Sequence, residues 1–114
     1  MSDILLSVII PTYNVEKYIV ECVDSLLRQI SAPNEIIIVN DSSTDGTVAL
    51  IEQHYGHLPQ VKLITIANGG AGNARDKGVE FAEGQFVFFC DPDDVVLEAV
   101  SYTHLRAHET GRNL

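Results

Sequence analysis

The sequence predicts an α/β fold, a Rossmann-like three-layer sandwich with helices on both faces of a mostly parallel sheet of about four strands. Apolar runs alternate with amphipathic segments across short connections, which is typical of consecutive β-α units. The apolar runs are hydrophobic on both faces, as strands of a covered parallel sheet must be. With 114 residues, 46% of them hydrophobic, and four prolines, the chain has the composition of one packed domain or part of one.

The first β-α unit begins with the apolar segment 5–10, which we interpret as a strand that ends before Pro11. Asn14 is the predicted cap of a helix over about residues 15–29, and Glu16 favours the helix dipole in its first turn. The apolar residues of this helix recur at helical spacing and form one stripe. They are Tyr18, Ile19, Cys22, Val23, Leu26, Leu27 and Ile30.

The second unit consists of a strand over residues 35–39, which is β-branched and apolar on both faces, and a short helix over about 48–55. Residues 40–47 between them are rich in Asn, Asp, Ser and Thr, whose side chains cap turns and helix ends. This unit predicts a buried strand that leads into a polar turn.

The third unit begins with a strand over residues 61–66 and continues through a flexible glycine-rich loop at 68–72. A helix over about 73–82 follows, with small residues on one face. The fourth strand is predicted at 86–90. Right-handed crossovers would place the carboxyl ends of all four strands on one edge of the sheet.

This edge would collect polar residues from four successive turns. They are Pro11-Thr12-Tyr13-Asn14, Asn40-Asp41-Ser42, Asn68-Gly69-Gly70 and Asp91-Pro92-Asp93-Asp94. Open α/β sheets bind ligands at this edge. Crowded carboxylates repel one another, so the last turn suggests a hard cation, Mg²⁺ or Mn²⁺, that bridges to phosphates. The alternative is a solvated acidic turn after a strand.

Three further side chains suit a nucleotide diphosphate at this edge. Tyr13 can stack on a base, Asp41 can accept a base N–H, and Arg75 can contact a phosphate. Each also has a purely structural alternative. Tyr13 could close a turn, Asp41 could cap the helix after its strand, and Arg75 could pair with Asp76 or Glu80.

The net charge, the cysteines and the distribution of apolar residues argue against several classes of protein. The formal net charge is −9 and the seven Lys and Arg residues are scattered, which argues against a nucleic-acid or anionic-membrane surface. Cys22 and Cys90 fit no zinc spacing, so we expect reduced, buried cysteines and a cytoplasmic location. The sequence shows no signal-peptide pattern and no apolar stretch of membrane-spanning length. A membrane anchor elsewhere in a longer parent protein stays open.

Four motifs together resemble family 2 glycosyltransferases of the GT-A fold. They are Ser7-Val8-Ile9-Ile10-Pro11-Thr12-Tyr13-Asn14, the segment from Ile36 to Thr47, Asn68-Gly69-Gly70 with Ala74-Arg75 and Gly78, and Asp91-Pro92-Asp93-Asp94. The resemblance is ordered and covers about residues 7–98. Where the family usually has Asp-Asp-Gly-Ser, this chain has Asn40-Asp41-Ser42-Ser43. The second acidic position is therefore kept and the glycine is not.

The resemblance implies a nucleotide-sugar site. By motif, Pro11 and Thr12 would line the pocket, Tyr13 would pack on the base and Asp41 would recognise it. Asp91 and Asp93 would form the Asp-x-Asp pair, with Asp91 towards the ribose and Asp93 on the divalent cation. The implied reaction transfers a sugar from a nucleotide diphosphate to a hydroxyl of a glycan, lipid or small molecule, usually with inversion.

In this family the general base and most of the acceptor site follow the acidic cluster, so no catalytic residue is assigned. We therefore expect little or no transferase activity from the 114 residues alone. Residues 100–110 resemble the translation of a transposase-type sequencing-library adapter. We accordingly predict that residues 1–99 are the amino-terminal, donor-binding part of a truncated glycosyltransferase domain and that 100–114 are a non-native tail.

Two other functions fit part of the pattern. The apolar run followed by Asp-x-Asp-x-Val also resembles haloacid-dehalogenase-like phosphatases, in which Asp91 would be the nucleophile and Asp93 the acid/base. That motif normally lies on the first strand of its fold, whereas here it follows three β-α units. The second alternative is a non-catalytic nucleotide-binding module.

Overall fold

A computed structural model describes residues 4–29, 34–67, 69–92 and 106–107. Within these residues, eight elements follow one another and alternate between strand and helix as far as the fourth strand. They are β1 (Leu6–Thr12), α1 (Ile19–Gln29), β2 (Asn34–Asp41), α2 (Thr47–Tyr55), β3 (Val61–Ile66), α3 (Gly70–Phe81), β4 (Phe86–Phe89) and β5 (Arg106–Ala107).

The strands form one sheet in the order β3-β2-β1-β4-β5. The first four are parallel, which confirms the predicted α/β architecture, and the two-residue β5 pairs antiparallel with β4. β5 lies within the predicted non-native tail, and the boundary at residue 99 stays a prediction. The chain runs outward from β1 to β3 and then returns to the other side of β1. The gap between the turns after β1 and β4 is therefore the topological switch point of the sheet.

The sheet separates two apolar layers because successive residues of each strand point to opposite faces. The first layer joins the strands to α1 and α2. Its fully or nearly buried members are Val8, Ile10, Ile19, Cys22, Val23, Leu26, Ile36, Ile38, Ile51, Tyr55, Phe88 and Cys90. The second layer lies on the other face and includes Ala74 of α3. Its members are Ile9, Ile37, Val39, Ala74, Ala82 and Val87.

The two cysteines are reduced and buried, as predicted. Their Sγ atoms lie 3.8 Å apart, with Cys22 on α1 and Cys90 directly after β4. A second polar contact fixes the helices on this face, because the Tyr55 hydroxyl at the end of α2 donates a hydrogen bond to Asp24 Oδ1 of α1 at 2.7 Å. The first contact joins α1 to the end of β4, and the second joins α1 to α2.

The prediction that Pro11 ends the first strand is wrong, since β1 continues to Thr12. Pro11 pairs in register with Val39 of β2, whereas pairing with β4 ends at Ile9, whose carbonyl accepts from the N–H of Cys90 at 3.0 Å. Alternate residues of a strand bond to the same neighbour, so the missing N–H of Pro11 faces the side where the β4 ladder has already ended.

Two helices begin elsewhere than predicted. The segment before α1 is a turn, in which the N–H of Tyr18 donates to the carbonyl of Val15 at 2.9 Å, and the helix itself begins at Ile19 rather than at residue 15. α3 begins at Gly70, three residues before the predicted start. Gly70 and Gly72 of the predicted flexible loop thus belong to the first turn of α3, and Gly69 directly precedes the helix. Asn68 lies outside the described residues.

A buried polar network lies at the amino-terminal end of the strands, which we call the amino edge. Glu35 is 1% exposed, and its Oε2 accepts hydrogen bonds of 2.6 Å from Ser7 Oγ and from the N–H of Glu83. Its Oε1 lies 2.6 Å from Lys62 Nζ. Burial by itself raises the pKa of Glu35, but the hydrogen bonds from Glu83, Lys62 and Ser7 outweigh it and hold the pKa below its ordinary value.

We expect Glu35→Gln to lower the free energy of unfolding at neutral pH by about 2 kcal/mol, because it removes the ion pair and weakens two buried hydrogen bonds. A carboxyl group whose pKa is lowered by folding stabilises the protein above its unfolded-state pKa, and this contribution disappears as the pH falls through the lowered value. The difference between wild type and variant should therefore shrink in acid. Urea unfolding measured at neutral and acidic pH tests this.

The control for this variant is Glu52→Gln, which changes an exposed carboxylate of α2. Its free energy of unfolding should stay within about 0.5 kcal/mol of wild type at both pH values. A destabilisation by Glu35→Gln that is equal at neutral and acidic pH would contradict the role assigned to the carboxylate charge.

Candidate functional site

The turns after β1, β2 and β4 lie side by side at the edge of the sheet where the parallel strands end, which we call the carboxyl edge. Thr12 is in register with Asn40, and Asp41 is in register with Ile66, so β1, β2 and β3 end nearly level. β4 is the other neighbour of β1. The structure thus brings the segments that carry Tyr13, Asp41 and Asp91 to one edge, as predicted, and places the switch point between the first and the last of them.

The end of β1 and the turn that follows it combine two buried residues with one exposed aromatic ring. Pro11 and Thr12 are buried, and Thr12 Oγ1 donates to the carbonyl of Ile10 at 3.0 Å. Tyr13 is 56% exposed, which makes it the most exposed of the large hydrophobic residues in the described part of the chain. At this exposure the ring is still partly buried, so the alternative that Tyr13 closes a turn stays open. An exposed ring at the carboxyl edge can stack on a planar ligand.

Asp41 ends β2 and is 7% exposed. Its Oδ1 accepts a hydrogen bond of 2.8 Å from the N–H of Gly69, and its Oδ2 accepts one of 2.7 Å from the N–H of Gly70. The carboxylate therefore caps the amino terminus of α3, where unpaired N–H groups and the positive end of the helix dipole favour an anion. This is a capping role, but for α3 rather than for the helix that follows β2. Each oxygen keeps a further lone pair for a ligand donor.

Ser42 follows Asp41 with a φ of +60°, in the left-handed region that favours glycine. The resemblance to family 2 glycosyltransferases had placed a glycine at this position. Here Ser42 Oγ donates a hydrogen bond of 2.9 Å to the carbonyl of Ile66 at the end of β3. That bond offsets part of the backbone strain and fixes the turn that presents Asp41.

Arg75 of α3 and Asp91 after β4 form an ion pair across the carboxyl edge. Arg75 Nη2 lies 3.5 Å from Asp91 Oδ1, and the two side chains are 40% and 50% exposed. The alternative that Arg75 pairs with Asp76 or Glu80 is not what the structure shows. Because both groups are partly in water, the pair contributes little to stability, and both groups remain accessible to a charged ligand.

The predicted metal site is described only in part. Asp93 and Asp94 lie outside the described residues. In the part of the chain that the structure describes, no three His, Cys, Asp or Glu side chains are close enough together to hold a metal ion. Asp91 supplies an accessible carboxylate at the correct edge of the sheet, which suits an oxygen-preferring cation.

Asn14 does not cap α1 as predicted. Its φ is +49°, and its side chain reaches the loop after β2, where Oδ1 accepts hydrogen bonds from the N–H groups of Thr44 at 2.7 Å and Asp45 at 3.2 Å. The N–H of Asn14 itself donates to Ser43 Oγ at 3.0 Å. The sequence showed a turn rich in capping residues, but not that Asn14 would be their partner.

Thr47 and Asp45 accept two further hydrogen bonds between the same two segments of the chain. The N–H of Val15 donates to Thr47 Oγ1 at 3.0 Å, and that of Glu16 donates to Asp45 Oδ2 at 3.3 Å. Desolvation raises the pKa of Asp45, but the hydrogen bonds from Thr47 and Glu16 outweigh it and lower the pKa below its ordinary value. We call the hydrogen bonds between residues 14–16 and 43–47 the loop clasp. It joins the turns after β1 and β2 on either side of the site.

The order of these segments matches one protein family along nearly the whole chain. The sequence model for "Glycosyl transferase family 2" matches residues 7–113. The chain belongs to glycosyltransferase family 2. Asp91 follows the fourth strand and not the first, where the phosphatase motif normally lies. The family match favours a glycosyltransferase over the phosphatase alternative.

Several characterised and uncharacterised bacterial glycosyltransferases are similar to this chain. The uncharacterized glycosyltransferase EpsJ of Bacillus subtilis is 43% identical over 96 residues, which are 84% of this chain and 28% of that protein. The chondroitin synthase of Pasteurella multocida is 42% identical over 90 residues, which are 79% of this chain and 9% of that protein.

Solved structures agree with the fold. The crystal structure of Staphylococcus aureus TarS 1–349 in complex with UDP-GlcNAc has a TM-score of 0.76 at 39% identity, and the match covers 85% of this chain and 29% of that one. The mannosyltransferase PcManGT of Pyrobaculum calidifontis, in complex with GDP-Man and Mn²⁺, has a TM-score of 0.67 at 28% identity, covering 77% and 27%. The chain thus spans less than a third of the length of each of these relatives.

Among the described residues, no helix has both the length and the apolar character needed to cross a membrane.

Proposed function

We propose that this chain is the donor-binding part of a glycosyltransferase that transfers a sugar from a nucleotide diphosphate-sugar to an acceptor hydroxyl. The observation that carries the proposal is that the Tyr13, Asp41 and Asp91 segments lie side by side at the carboxyl edge, next to the switch point of the sheet, in a chain of family 2. An exposed ring, a buried acceptor and a charged pair at this edge are the groups that a base, a ribose and a diphosphate require.

In this proposal Tyr13 packs on the base, and Pro11 and Thr12 form the floor beside it. Asp41 accepts a base N–H with the lone pairs that the amino terminus of α3 leaves unused. Arg75 turns from Asp91 to the diphosphate, while Asp91 contacts the ribose. The complexes of TarS with UDP-GlcNAc and of PcManGT with GDP-Man support a nucleotide-sugar donor without fixing the base or the sugar.

A divalent cation, Mn²⁺ or Mg²⁺, belongs to the proposal. Asp91 and Asp93 would hold it, since both are carboxylates of the Asp-x-Asp pattern, and the half-exposed carboxylate of Asp91 is open to a cation. Mn²⁺ in the PcManGT complex supports this choice. When bound, the cation offsets the negative charge that grows on the departing diphosphate. Arg75 can supply a second positive charge for the same purpose.

The acceptor would approach the anomeric carbon from the side opposite the diphosphate, which accounts for inversion, and a carboxylate beyond the acidic cluster would take its proton. The acceptor can be a glycan, a lipid or a small molecule. Donor nucleotides and reduced cysteines favour a cytoplasmic location, including the cytoplasmic face of a membrane for a longer parent protein.

The first experiment measures the thermal midpoint of the 114-residue chain with UDP or GDP, each with and without MnCl₂. A ligand that binds only the folded state at about 100 times its Kd adds about 2.7 kcal/mol of stability and raises the midpoint. We expect at least one nucleotide to do so, and more strongly with Mn²⁺. No shift with either nucleotide at millimolar concentration would refute the proposal. Trapping of beryllofluoride on Asp91, detected as a mass increase, would instead favour the phosphatase alternative.

Tyr13→Ala should weaken binding of the preferred nucleotide about tenfold or more, because stacking of a base on an aromatic ring contributes about 1–3 kcal/mol. Isothermal titration measures the change. Tyr18→Ala is the matched control, since Tyr18 is also an exposed tyrosine, at 46%, but lies in the turn before α1. Equal losses from the two variants would contradict a specific role for Tyr13.

A further inference from the structure

We propose that Asn14 is a positioning residue that fixes Tyr13 for the nucleotide base through the loop clasp. This inference rests on the proposed function and deepens it, because it names the group that holds the base platform in place. Tyr13 touches the ligand in this scheme, whereas Asn14 acts only through Tyr13 and through the loop at 43–47.

The first step is that neither burial nor strand pairing fixes the position of Tyr13. Its ring is 56% exposed, so burial does not define its position. The ordered strand ends one residue earlier, at Thr12. Tyr13 therefore lies between a strand end and Asn14, and its backbone direction depends on how the chain leaves at Asn14.

The second step is that Asn14 has one well-defined position. Its left-handed φ of +49° is a conformation that asparagine tolerates better than most residues. Its Oδ1 receives two backbone N–H groups, from Thr44 and Asp45, and Nδ2 lies 3.3 Å from Thr44 Oγ1. The N–H of Asn14 also donates a hydrogen bond to Ser43 Oγ. Both the side chain and the backbone of Asn14 are therefore hydrogen-bonded to the same loop.

The third step is that this loop is the continuation of Asp41, the proposed base acceptor. Ser42 anchors it to β3 through the carbonyl of Ile66, and Asn40 Oδ1 accepts from the N–H of Ser43 at 3.0 Å. Asn14 thus sets the position of the stacking ring relative to the hydrogen-bonding carboxylate. A base must satisfy both groups at once, so an error in their relative placement costs affinity.

The experiment compares three substitutions of Asn14 for UDP affinity, or for GDP if that is the nucleotide bound. Asn14→Ala removes the acceptor, Asn14→Gly removes it while keeping the left-handed backbone accessible, and Asn14→Asp keeps an acceptor oxygen for Thr44 and Asp45. We expect the Kd to rise about tenfold in the Ala and Gly variants and less than about threefold in the Asp variant. Hydrogen exchange of the Thr44 and Asp45 amides should accelerate in the same two variants.

Combination with Tyr13→Ala separates positioning from general stability. If Asn14 acts through Tyr13, then Asn14→Ala should change the Kd little when Tyr13 is already alanine. An equal fold-change in both backgrounds, or unchanged affinity and amide exchange in the Ala and Gly variants, would overturn the inference while leaving the proposed function intact. Absence of nucleotide binding by the wild type would instead overturn the proposed function, and with it this role of Asn14.

Discussion

Asp41→Ala is expected to weaken nucleotide binding about 100-fold and to lower the free energy of unfolding by about 1–2 kcal/mol. The substitution affects both stability and binding. The carboxylate accepts hydrogen bonds from the N–H groups of Gly69 and Gly70, and it is also the proposed acceptor for the base. The stability loss stays moderate because both glycines are exposed, so water can replace the lost acceptor. Titration calorimetry and urea unfolding measure the two parts.

Two further variants make this result specific. Asp76→Ala removes an exposed carboxylate from α3 and should leave both quantities close to wild type. Asp41→Asn keeps one acceptor oxygen, so it should recover part of the stability but present an N–H₂ group where the base donates. If Asp41→Asn binds the nucleotide as tightly as the wild type does, then the carboxylate only caps α3.

Gly78→Ala should lower the free energy of unfolding by about 2 kcal/mol. A Cβ atom on Gly78 would lie 2.4 Å from Ile9 Cγ2 and 3.1 Å from Ile9 Cγ1, at the buried contact between α3 and β1. No flexible side-chain end is available to move aside, since Ile9 is fully buried in the centre of the sheet. Either α3 shifts outward or Ile9 leaves its preferred rotamer. Thermal and urea unfolding report the loss.

Gly72→Ala is the matched control in the same helix. A Cβ there meets no heavy atom within 4 Å, and Gly72 is exposed. Because alanine has the higher helix propensity, this change should raise stability by up to about 1 kcal/mol. Similar effects of the two substitutions would indicate that α3 is not packed closely against β1.

The strands and both apolar layers could be predicted from the sequence because hydrophobic burial and strand period are local signals. Segment 61–66 is a strand as predicted, and the helix predicted at 48–55 is α2 with one residue added at its start. The errors fall where a distant partner decides the outcome. β1 passes through Pro11 because β4 ends early, and α3 begins at Gly70 because Asp41 receives its first N–H groups. Neither partner is close in sequence.

The gathering of the turns at one edge could be predicted from the sequence, but the contacts between them could not. Right-handed crossovers predicted that the segments of Tyr13, Asp41 and Asp91 meet at one edge, and the structure places them there, with Arg75 paired to Asp91. The roles of these residues in binding stay a prediction. The pairing of Arg75 with Asp91 could not be read from helical spacing, which offered only neighbours on α3. The loop clasp was missed for the same reason, since its donors and acceptors are about 30 residues apart.

β2 carries Glu35 at one end and Asp41 at the other, six residues and therefore about 20 Å apart. The two carboxylates share no hydrogen-bond partner among the described residues. Free-energy changes from substitutions at such separate positions generally add. One end of this protein can thus be reinforced or re-engineered, or carry a fluorescent reporter, and we expect the proposed nucleotide site at the other end to be unaffected.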